Sequence, residues 1–343
     1  MHPRATGPPQ GLAESAMNDV EYALLLSLAD GSFHSGEALA EQFSVTRAAI
    51  WKRIQRLNAY PGIDIASVRG KGHRLKAPLE LLSEDAIRGR IQPGLQHRLT
   101  ELKVLPVVSS TNAFLADQCS PYLHSGQACM AEYQSAGRGR RGRQWVSVFG
   151  SSVCLSLAWR FDLSMADLAG LSIAVGVAVA GVLTDAGLKG HGLKWPNDIH
   201  VNGKKLAGIL VEASGEMEGP CQAIIGVGLN VHLPAAAAGE IDQPWTDLAS
   251  CLPAPPGRNR LAGDLLDALM QACVRYQQRG LAPFLETWKA YDVYIGQKVK
   301  LLMGKDTITG IYTGLSEQGG LVLDSPGGRK TWYSGEVSLR GKA

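Results

Sequence analysis

Residues 132–145 read EYQSAGRGRRGRQW and continue an apolar, strand-like segment at 128–133. The core of this stretch alternates small and cationic residues: Gly137, Arg138, Gly139, Arg140, Arg141, Gly142 and Arg143. Glycine lets a backbone approach a ligand with its amide groups turned inward. Arginine adds forked hydrogen-bond donors that match carboxylates and phosphates. The stretch therefore predicts a loop at the end of a strand that holds two anions side by side.

Two other interpretations of the same stretch stay open. An RGG-like segment would bind nucleic acid, and a plain exposed loop would bind nothing. The run occurs once in the chain and has strand-like flanks. These features favour a small-anion site within a folded domain.

A second polar cluster begins at Lys194-Trp-Pro-Asn-Asp198 and runs through Asn202-Gly203 to Lys205. Asn-Gly is the strongest two-residue signal for a hairpin turn, and a two-residue turn places Asp198 opposite Ala207. Asp198 and Lys205 then lie on one face as diagonal neighbours, roughly 7–8 Å apart between backbones. The cluster predicts a lysine–aspartate pair facing the arginine loop. A surface hairpin with an ordinary ion pair is the alternative.

A third polar group, Ser110-Thr-Asn112, stands between a predicted strand at 103–108 and a helix start. Such residues commonly cap a helix, and that interpretation stays open. The functional alternative is a helix N-terminus whose hydroxyl groups also hold a polar ligand. A fourth segment, Gly226-Val-Gly-Leu-Asn230, lacks the third glycine of a dinucleotide-binding fingerprint.

Residues 46–76 carry the strongest local charge in the chain. Eight basic residues and one acid give this segment a net charge of +7, against +3 for the whole protein. Apolar spacing predicts a short helix opened by Ser35-Gly36, a second helix from Thr46 and a strand at 63–68, followed by a basic turn at 69–72. Two helices joined so tightly and followed by a hairpin predict a winged helix-turn-helix.

A winged helix-turn-helix binds DNA when its second helix enters the major groove and its wing contacts phosphate groups. The residues expected to contact DNA are Thr46, Arg47, Trp51, Lys52, Arg69 and Lys71. The alternative is a solvated basic face on a small protein-interaction domain.

The 343 residues divide into four predicted segments, which together make an α+β multidomain fold. Residues 1–17 contain no signal-peptide core and are expected to form a disordered tail. A winged helix-turn-helix at 18–81, a mixed α/β domain at 82–294 and a small all-β barrel at 295–343 follow. The apolar run 168–183 is predicted to be a buried helix rather than a membrane span. Six cysteines without a CxxC pair predict reduced, buried thiols in a cytoplasmic protein.

Taken together, these segments resemble the biotin–protein ligase family, in its bifunctional class that also represses the biotin operon. The resemblance covers about residues 20–340. Its motifs are Ser-Thr-Asn at 110–112, the arginine–glycine stretch at 132–145, Lys-Trp-Pro-Asn-Asp at 194–198, Lys-Leu-Ala-Gly-Ile-Leu at 205–210 and Gly-Val-Gly-Leu-Asn at 226–230. It implies a ligase domain of the biotin/lipoate type between the winged helix-turn-helix and an SH3-like barrel.

The resemblance also implies an activity and its partners. ATP and biotin give biotinyl-5′-AMP with Mg²⁺, and a lysine of the biotin carboxyl carrier protein of acetyl-CoA carboxylase then takes the biotin. Loading with biotinyl-AMP favours a homodimer that binds operator DNA, and no membrane partner is implied.

By the same resemblance, catalytic roles fall to Arg138, Arg140, Asp198 and Lys205, with Asp198 also assisting the incoming amine. Ser110, Thr111 and Gln134 would bind the ureido ring, and Trp145 would close over it. Lys194, Asn197 and Asp198 would serve the nucleotide and its Mg²⁺, without a dedicated metal site. The remaining residues expected to bind biotin or ATP are Asn112, Gly137, Gly139 and Arg340.

Two alternatives to this function remain. One is a transcription regulator that senses a small acid with a catalytically dead domain, although Lys194, Asp198 and Lys205 are all retained. The other is a ligase of the same fold that uses lipoate instead of biotin.

Overall fold

The structure, a computed structural model, describes residues 17–118, 125–215, 219–234, 239, 241–304 and 306–339. The predicted tail at 1–17 therefore lies outside the described residues except for Met17. That side chain is only 7% exposed and packs in the core of the first domain.

The first domain is a winged helix-turn-helix, as predicted. Its elements are α1 (Asp19–Leu28), α2 (Gly36–Gln42), α3 (Arg47–Leu57), β1 (Ile65–Val68) and β2 (Gly72–Leu75). Side chains of Ser35 and Thr46 cap the N-termini of α2 and α3. Ile50, Ile54 and Leu57, spaced on one face of α3, are fully buried. This packing leaves the opposite, basic face of α3 exposed.

The central domain is built on a seven-stranded sheet in the order β3-β4-β5-β9-β8-β7-β6. Only the pair β3 and β4 is parallel among the described strands. The strands are β3 (Glu101–Val108), β4 (Gln127–Gln134), β5 (Ser152–Phe161), β6 (His191–Lys194), β7 (Asp198–Val201), β8 (Lys204–Gly215) and β9 (Cys221–Asn230). All four strands predicted from apolar runs, at 103–108, 128–133, 153–158 and 223–231, are present. The first three are slightly longer than predicted, and the fourth begins two residues earlier and ends one residue earlier.

Helices cover both faces of this sheet. They are α4 (Glu84–Arg88), α5 (Pro93–Gln96), α6 (Thr111–Gln118), α7 (Leu171–Asp185), α8 (Leu248–Cys251), α9 (Arg258–Arg279) and α10 (Ala282–Tyr291). The segment Asp167–Asp185 is long and apolar enough to cross a bilayer, yet 61% of its most apolar window is buried inside the protein. It packs against α9, α10 and β8, which confirms the predicted buried helix.

The hairpin of β7 and β8 differs from prediction by one residue. Asn202 and Gly203 form the turn with φ values of 51° and 75°, and His200 faces Lys205 as expected. The register then shifts, so that Asp198 faces Gly208 rather than Ala207. The extra residue on β8 is a β-bulge, which a turn signal alone does not reveal.

The last domain is a five-stranded antiparallel sheet in the order β13-β12-β11-β10-β14. Its strands are β10 (Lys298–Met303), β11 (Asp306–Leu315), β12 (Leu321–Ser325), β13 (Gly328–Trp332) and β14 (Glu336–Leu339). The sheet is not closed within the described residues but is consistent with the predicted SH3-like barrel. The indole of Trp195 donates to the Gly319 carbonyl at 3.0 Å, which docks this domain beside the central hairpin.

A buried ionic cluster joins the first domain to the second. Arg258 at the start of α9 pairs with Glu132 on β4 at 2.7 Å, and these side chains are 5% and 0% exposed. The other oxygen of Glu132 accepts from the Leu82 amide, while Arg258 also donates to the Glu80 carbonyl. The chain between the two domains is therefore held by the catalytic sheet rather than left as a free linker.

Removing one partner of this pair should destabilise the central domain strongly. Arg258→Met leaves Glu132 buried without its counter-charge, and we expect unfolding in denaturant to lose about 3–5 kcal/mol. The double variant Arg258→Met with Glu132→Leu should recover part of that loss. Arg260→Met, on the exposed side of the same helix, should cost less than about 1 kcal/mol. Equal losses of unfolding free energy in Arg258→Met and Arg260→Met would contradict a stabilising role for the buried pair.

Candidate functional site

The arginine loop is a closed hairpin that extends from the end of β4. The Trp145 amide donates to the Gly137 carbonyl at 2.9 Å, and the Gly139 amide donates to the Arg143 carbonyl at 2.7 Å. A Cβ on Gly137 would overlap the Trp145 carbonyl, so glycine is required at the base of the loop. Arg141 and Gly142 turn the tip with φ values of 56° and 74°.

Three loop arginines reach three different parts of the fold. Arg138 pairs with Glu212 on β8 at 2.6 Å, and Arg143 pairs with Glu336 on β14 at 2.7 Å. Arg140 donates to the side-chain oxygen of Asn197 at 3.2 Å. Burial, with repulsion from Arg141, lowers the pKa of Arg140. The loop thus forms a cationic roof over the sheet.

Beneath this roof lies a polar slot made by the predicted Ser-Thr-Asn segment and Gln134. Ser110, Thr111, Asn112 and Gln134 are all buried, at 3–8% exposed. Gln134 accepts from the Thr111 amide at 2.8 Å, and Ser156 donates to both Thr111 and Asn112. Helix α6 begins at Thr111, so its first turn points into the slot.

The floor of the slot is made of glycines that sequence reasoning did not assign to the site. Gly208, Gly226 and Gly228 line it from β8 and β9. A Cβ on Gly226 would overlap Asn112, and a Cβ on Gly228 would overlap the indole of Trp145. The alternation of Gly226 and Gly228 on one face of a strand is the signal that could have identified them.

Trp145 divides the site into adjoining cavities. Its indole lies on Gly228, separates the slot from a second pocket and lines both. That second pocket is lined by residues 143–146 of the arginine loop with Lys205, by Asn230 at the end of β9, and by Ile241, Asp242, Gln243 and Trp245 from the loop after β9. Trp245 was not predicted, because a single tryptophan in a loop carries no local pattern.

The hairpin of β7 and β8 supplies the charged pair that the sequence predicted. Lys205 contacts Asp198 at 2.9 Å, and these side chains are 16% and 15% exposed. Burial would raise the pKa of Asp198, but the nearby His200 ring and the Lys205 ammonium group outweigh it and bring the pKa to about 2. Lys205 also lies 5.8 Å from the Trp145 ring centre. The Asp198 carboxylate is therefore charged at neutral pH.

A third cavity brings the arginine loop, this hairpin and the last domain together. It is lined by Arg140, Arg141, Arg143, Lys194, Asn197, Asp198, Lys205, Glu336 and Ser338, among others. Burial lowers the pKa of Lys194, although Asp198 opposes the effect. Five cations against two acids make this cavity suited to a polyanion. Arg340, predicted for this part of the site, lies outside the described residues.

The residues predicted to contact DNA are far from these cavities, on the first domain. All six are exposed: Thr46, Arg47, Trp51, Lys52, Arg69 and Lys71. Trp51 is 53% exposed on α3. Lys71 and Arg74 lie 5.8 and 4.8 Å from the Phe33 ring, which fixes the base of the wing.

Comparison with known proteins agrees with this arrangement. Family models match residues 104–230 (Biotin/lipoate A/B protein ligase family), 294–340 (Biotin protein ligase C terminal domain) and 21–74 (HTH domain). The Bifunctional ligase/repressor BirA of Salmonella typhimurium is 42% identical over 94% of this chain and 98% of its own length. The chain belongs to the biotin protein ligase family. The Escherichia coli BirA is also 42% identical over 94% of the chain.

Solved structures of biotin protein ligases have the same fold. The ligase from Aquifex aeolicus in complex with biotin and ATP superimposes with a TM-score of 0.59 and is 29% identical. The match covers 70% of this chain and 99% of that chain. The match covers a smaller share of this chain because this chain is longer than the Aquifex aeolicus ligase.

Gly137 should be essential to the shape of the arginine loop. Gly137→Ala forces a Cβ into the Trp145 carbonyl, so the hydrogen bond at the base of the loop breaks. We expect deuterium uptake by the peptide containing residues 137–145 to accelerate about tenfold. Gly181→Ala, in α7 with no atom within 4 Å of the new Cβ, is the control and should leave uptake unchanged. Equal uptake in both variants would contradict the proposed strain.

Proposed function

We propose that this biotin protein ligase joins biotin to ATP between the arginine loop and the Lys205–Asp198 hairpin, transfers biotin to a carrier lysine, and represses the biotin operon. The observation that carries the site assignment is the adjacency of a buried polar slot and a strongly cationic cavity. Trp145, Arg140 and Lys205 line both. A ligand with a polar ring and an acidic tail fits the slot, and a triphosphate fits the cavity.

The slot favours biotin over lipoate. A ureido ring offers two N–H donors and a carbonyl acceptor, whereas the dithiolane ring of lipoate offers neither. Gln134, Thr111 and Ser110 line the slot with amide and hydroxyl groups that can hydrogen-bond a ureido ring but find no partner on an apolar ring. An exchange assay with each acid tests this preference, and equal use of lipoate would argue against it.

In the first step, a biotin carboxylate oxygen attacks the α-phosphorus of ATP. The bond from that phosphorus to the bridging oxygen breaks and pyrophosphate leaves. Because both reactants are anionic, their approach requires fixed positive charge at the point of contact. Arg138, Arg140 and Lys205 converge on that point, and Lys205 stabilises the charge that develops on the phosphate oxygens.

In the second step, the amine of a carrier-protein lysine attacks the acyl carbon. The bond from that carbon to the phosphate oxygen breaks, AMP leaves and the amine loses a proton to solvent. With a pKa of about 2, Asp198 is a poor proton acceptor at neutral pH. Its role is to attract and orient the incoming lysine as its ammonium form, which loses one proton to solvent before the neutral amine attacks.

The second pocket suits the nucleobase. Trp145 and Trp245 line it together with the polar side chains of Asn230, Asp242 and Gln243. Flat heteroaromatic rings stack well on tryptophan. This placement leaves the triphosphate in the neighbouring cationic cavity, with the α-phosphate near Lys205.

The site suits a Mg²⁺ ion that is bound by the phosphates of ATP as well as by protein side chains. The described residues contain no group of three or more His, Cys, Asp or Glu side chains that could hold a metal. The Asp198 carboxylate pairs with Lys205 at 2.9 Å, and Mg²⁺ commonly binds through one carboxylate plus phosphates. Asp198 with Asn197 would hold the ion, which when bound neutralises phosphate charge.

The exposed basic face of α3 and the wing serve the repressor activity. A homodimer formed on loading with biotinyl-AMP would present two such faces to two half-sites of the operator. We assign residues 18–81 to DNA binding, 82–294 to catalysis and 295–343 to the C-terminal domain. The five described cysteines are free thiols, which suits the cytoplasm.

Lys205 should matter for adenylation far more than its neighbour. Lys205→Ala removes the charge that stabilises the developing phosphate anion, and we expect biotin-dependent pyrophosphate exchange to fall about 10²–10³-fold. Lys204→Ala, exposed at the same turn, is the control and should retain most activity. Normal exchange by Lys205→Ala with a lowered melting temperature would instead indicate a structural role. A protein that releases no pyrophosphate in any form would be a sensor rather than an enzyme.

The wing should contribute phosphate contacts to DNA binding. Each lost phosphate contact lowers the slope of log K against log salt by about 0.9. The double variant Arg69→Ala with Lys71→Ala should therefore reduce the slope on a non-specific duplex by about 2. Lys330→Ala, exposed on the last domain, removes a charge elsewhere and should leave the slope unchanged. An unchanged slope in the wing variant would remove the wing from the DNA interface.

A further inference from the structure

Glu212 is a carboxylate at the mouth of the slot, two residues beyond the motif at 205–210. It lies on β8, where Oε1 contacts the Arg138 guanidinium at 2.6 Å and Oε2 accepts from the Asn112 amide at 2.8 Å. The Glu212 side chain is 33% exposed and that of Arg138 is 51% exposed. The pair therefore sits at the mouth of the slot rather than in the core.

The buried side chain of Asn112 holds the Glu212 carboxylate in place. Asn112 is only 4% exposed and also donates weakly to the Leu210 carbonyl at 3.4 Å. Its side-chain oxygen accepts from Ser156, so the whole amide is fixed. A glutamate anchored by a buried amide keeps its position when Arg138 moves, which an ordinary surface ion pair would not do.

We propose that Glu212 is an internal competitor for Arg138 that lowers the affinity of the site for a free carboxylate and so favours the adenylate over biotin. This inference rests on the proposed function, in which Arg138 holds the acid of biotin. The Glu212 carboxylate has the same chemistry as that acid and pairs with the same guanidinium. A bound biotin carboxylate therefore displaces Glu212 or lies beside its negative charge.

The repulsion by Glu212 weakens the binding of biotin more than that of biotinyl-AMP. Free biotin carries a carboxylate at the end of its tail, whereas the acyl end of biotinyl-AMP is a neutral carbonyl. Repulsion from Glu212 therefore acts most strongly on the acid and weakens once the mixed anhydride forms, because the remaining negative charge lies on the phosphate beyond the carbonyl. Glu212 shifts the balance of affinities towards the intermediate that must be retained until the carrier arrives.

The test compares charged and neutral ligands on the full chain by titration calorimetry. Glu212→Gln keeps the shape but has one acceptor oxygen in place of two, so it cannot serve Asn112 and Arg138 together. We expect the Kd for biotin to fall about 3- to 10-fold, as for a partly screened unit charge. The Kd for biotin amide, which has no carboxylate, should change less than about twofold. The gain should shrink at high salt.

Glu286→Gln, the same charge change at an exposed position on α10, is the control and should leave both Kd values unaltered. A weaker Kd for biotin in Glu212→Gln would mean that Glu212 positions Arg138 instead, and would overturn the proposal. An equal change for both ligands would overturn it as well. If the unaltered chain binds neither ligand, the biotin site itself fails; if it binds biotin without the Glu212 effect, only this inference fails.

A crystal of the unaltered chain with biotin gives a second measurement that needs no variant. We expect the biotin carboxylate on the Arg138 guanidinium, with the contact between Arg138 and Glu212 Oε1 lengthened or lost while Asn112 stays on Oε2. A carboxylate bound away from Arg138, with the Glu212 pair intact, would overturn the proposal.

Discussion

The site is organised around the repulsion between two anions that must touch. A carboxylate and a triphosphate repel each other, so their approach requires compensating positive charge. Water would have to reorient around the reacting atoms to provide it, whereas fixed protein charges do not. The chain solves this with cations that other parts of the fold hold in place. Arg138, Arg140 and Arg143 are each tied to a different element, through Glu212, Asn197 and Glu336. The positive charge is therefore preorganised rather than recruited.

The same requirement explains the glycines. Cations can lie directly above a bound ligand only if the sheet below gives it room, and side chains on Gly208, Gly226 and Gly228 would fill that space. Trp145 occupies part of it already, since its indole lies on Gly228. The hairpin geometry at Gly137 sets the position of Trp145, because the two residues close the base of the loop. Trp145 thus contacts both the arginine loop above the slot and the glycines below it.

Sequence reasoning predicts those features that local chemistry dictates. The winged helix-turn-helix, the strands that flank the arginine loop and the Lys205–Asp198 pair follow from apolar spacing, turn residues and charge. The shifted register at Asp198 does not, because a β-bulge depends on how both strands pack. Glu212 and Trp245 also carry no local signal. They enter the site only because β8 and the loop after β9 are brought beside residues about a hundred positions away.

Strand β4 links this site to the DNA-binding domain directly. Gln134 lines the slot, Tyr133 packs at 6.0 Å from the Tyr60 ring of the first domain, and Glu132 holds the Arg258 cluster. These three residues are consecutive, about 3.3 Å apart along the strand. A domain on a free linker could reorient without disturbing the slot. Here the interdomain contacts and the ligand contact share one stretch of backbone, so a shift at the end of β4 moves both.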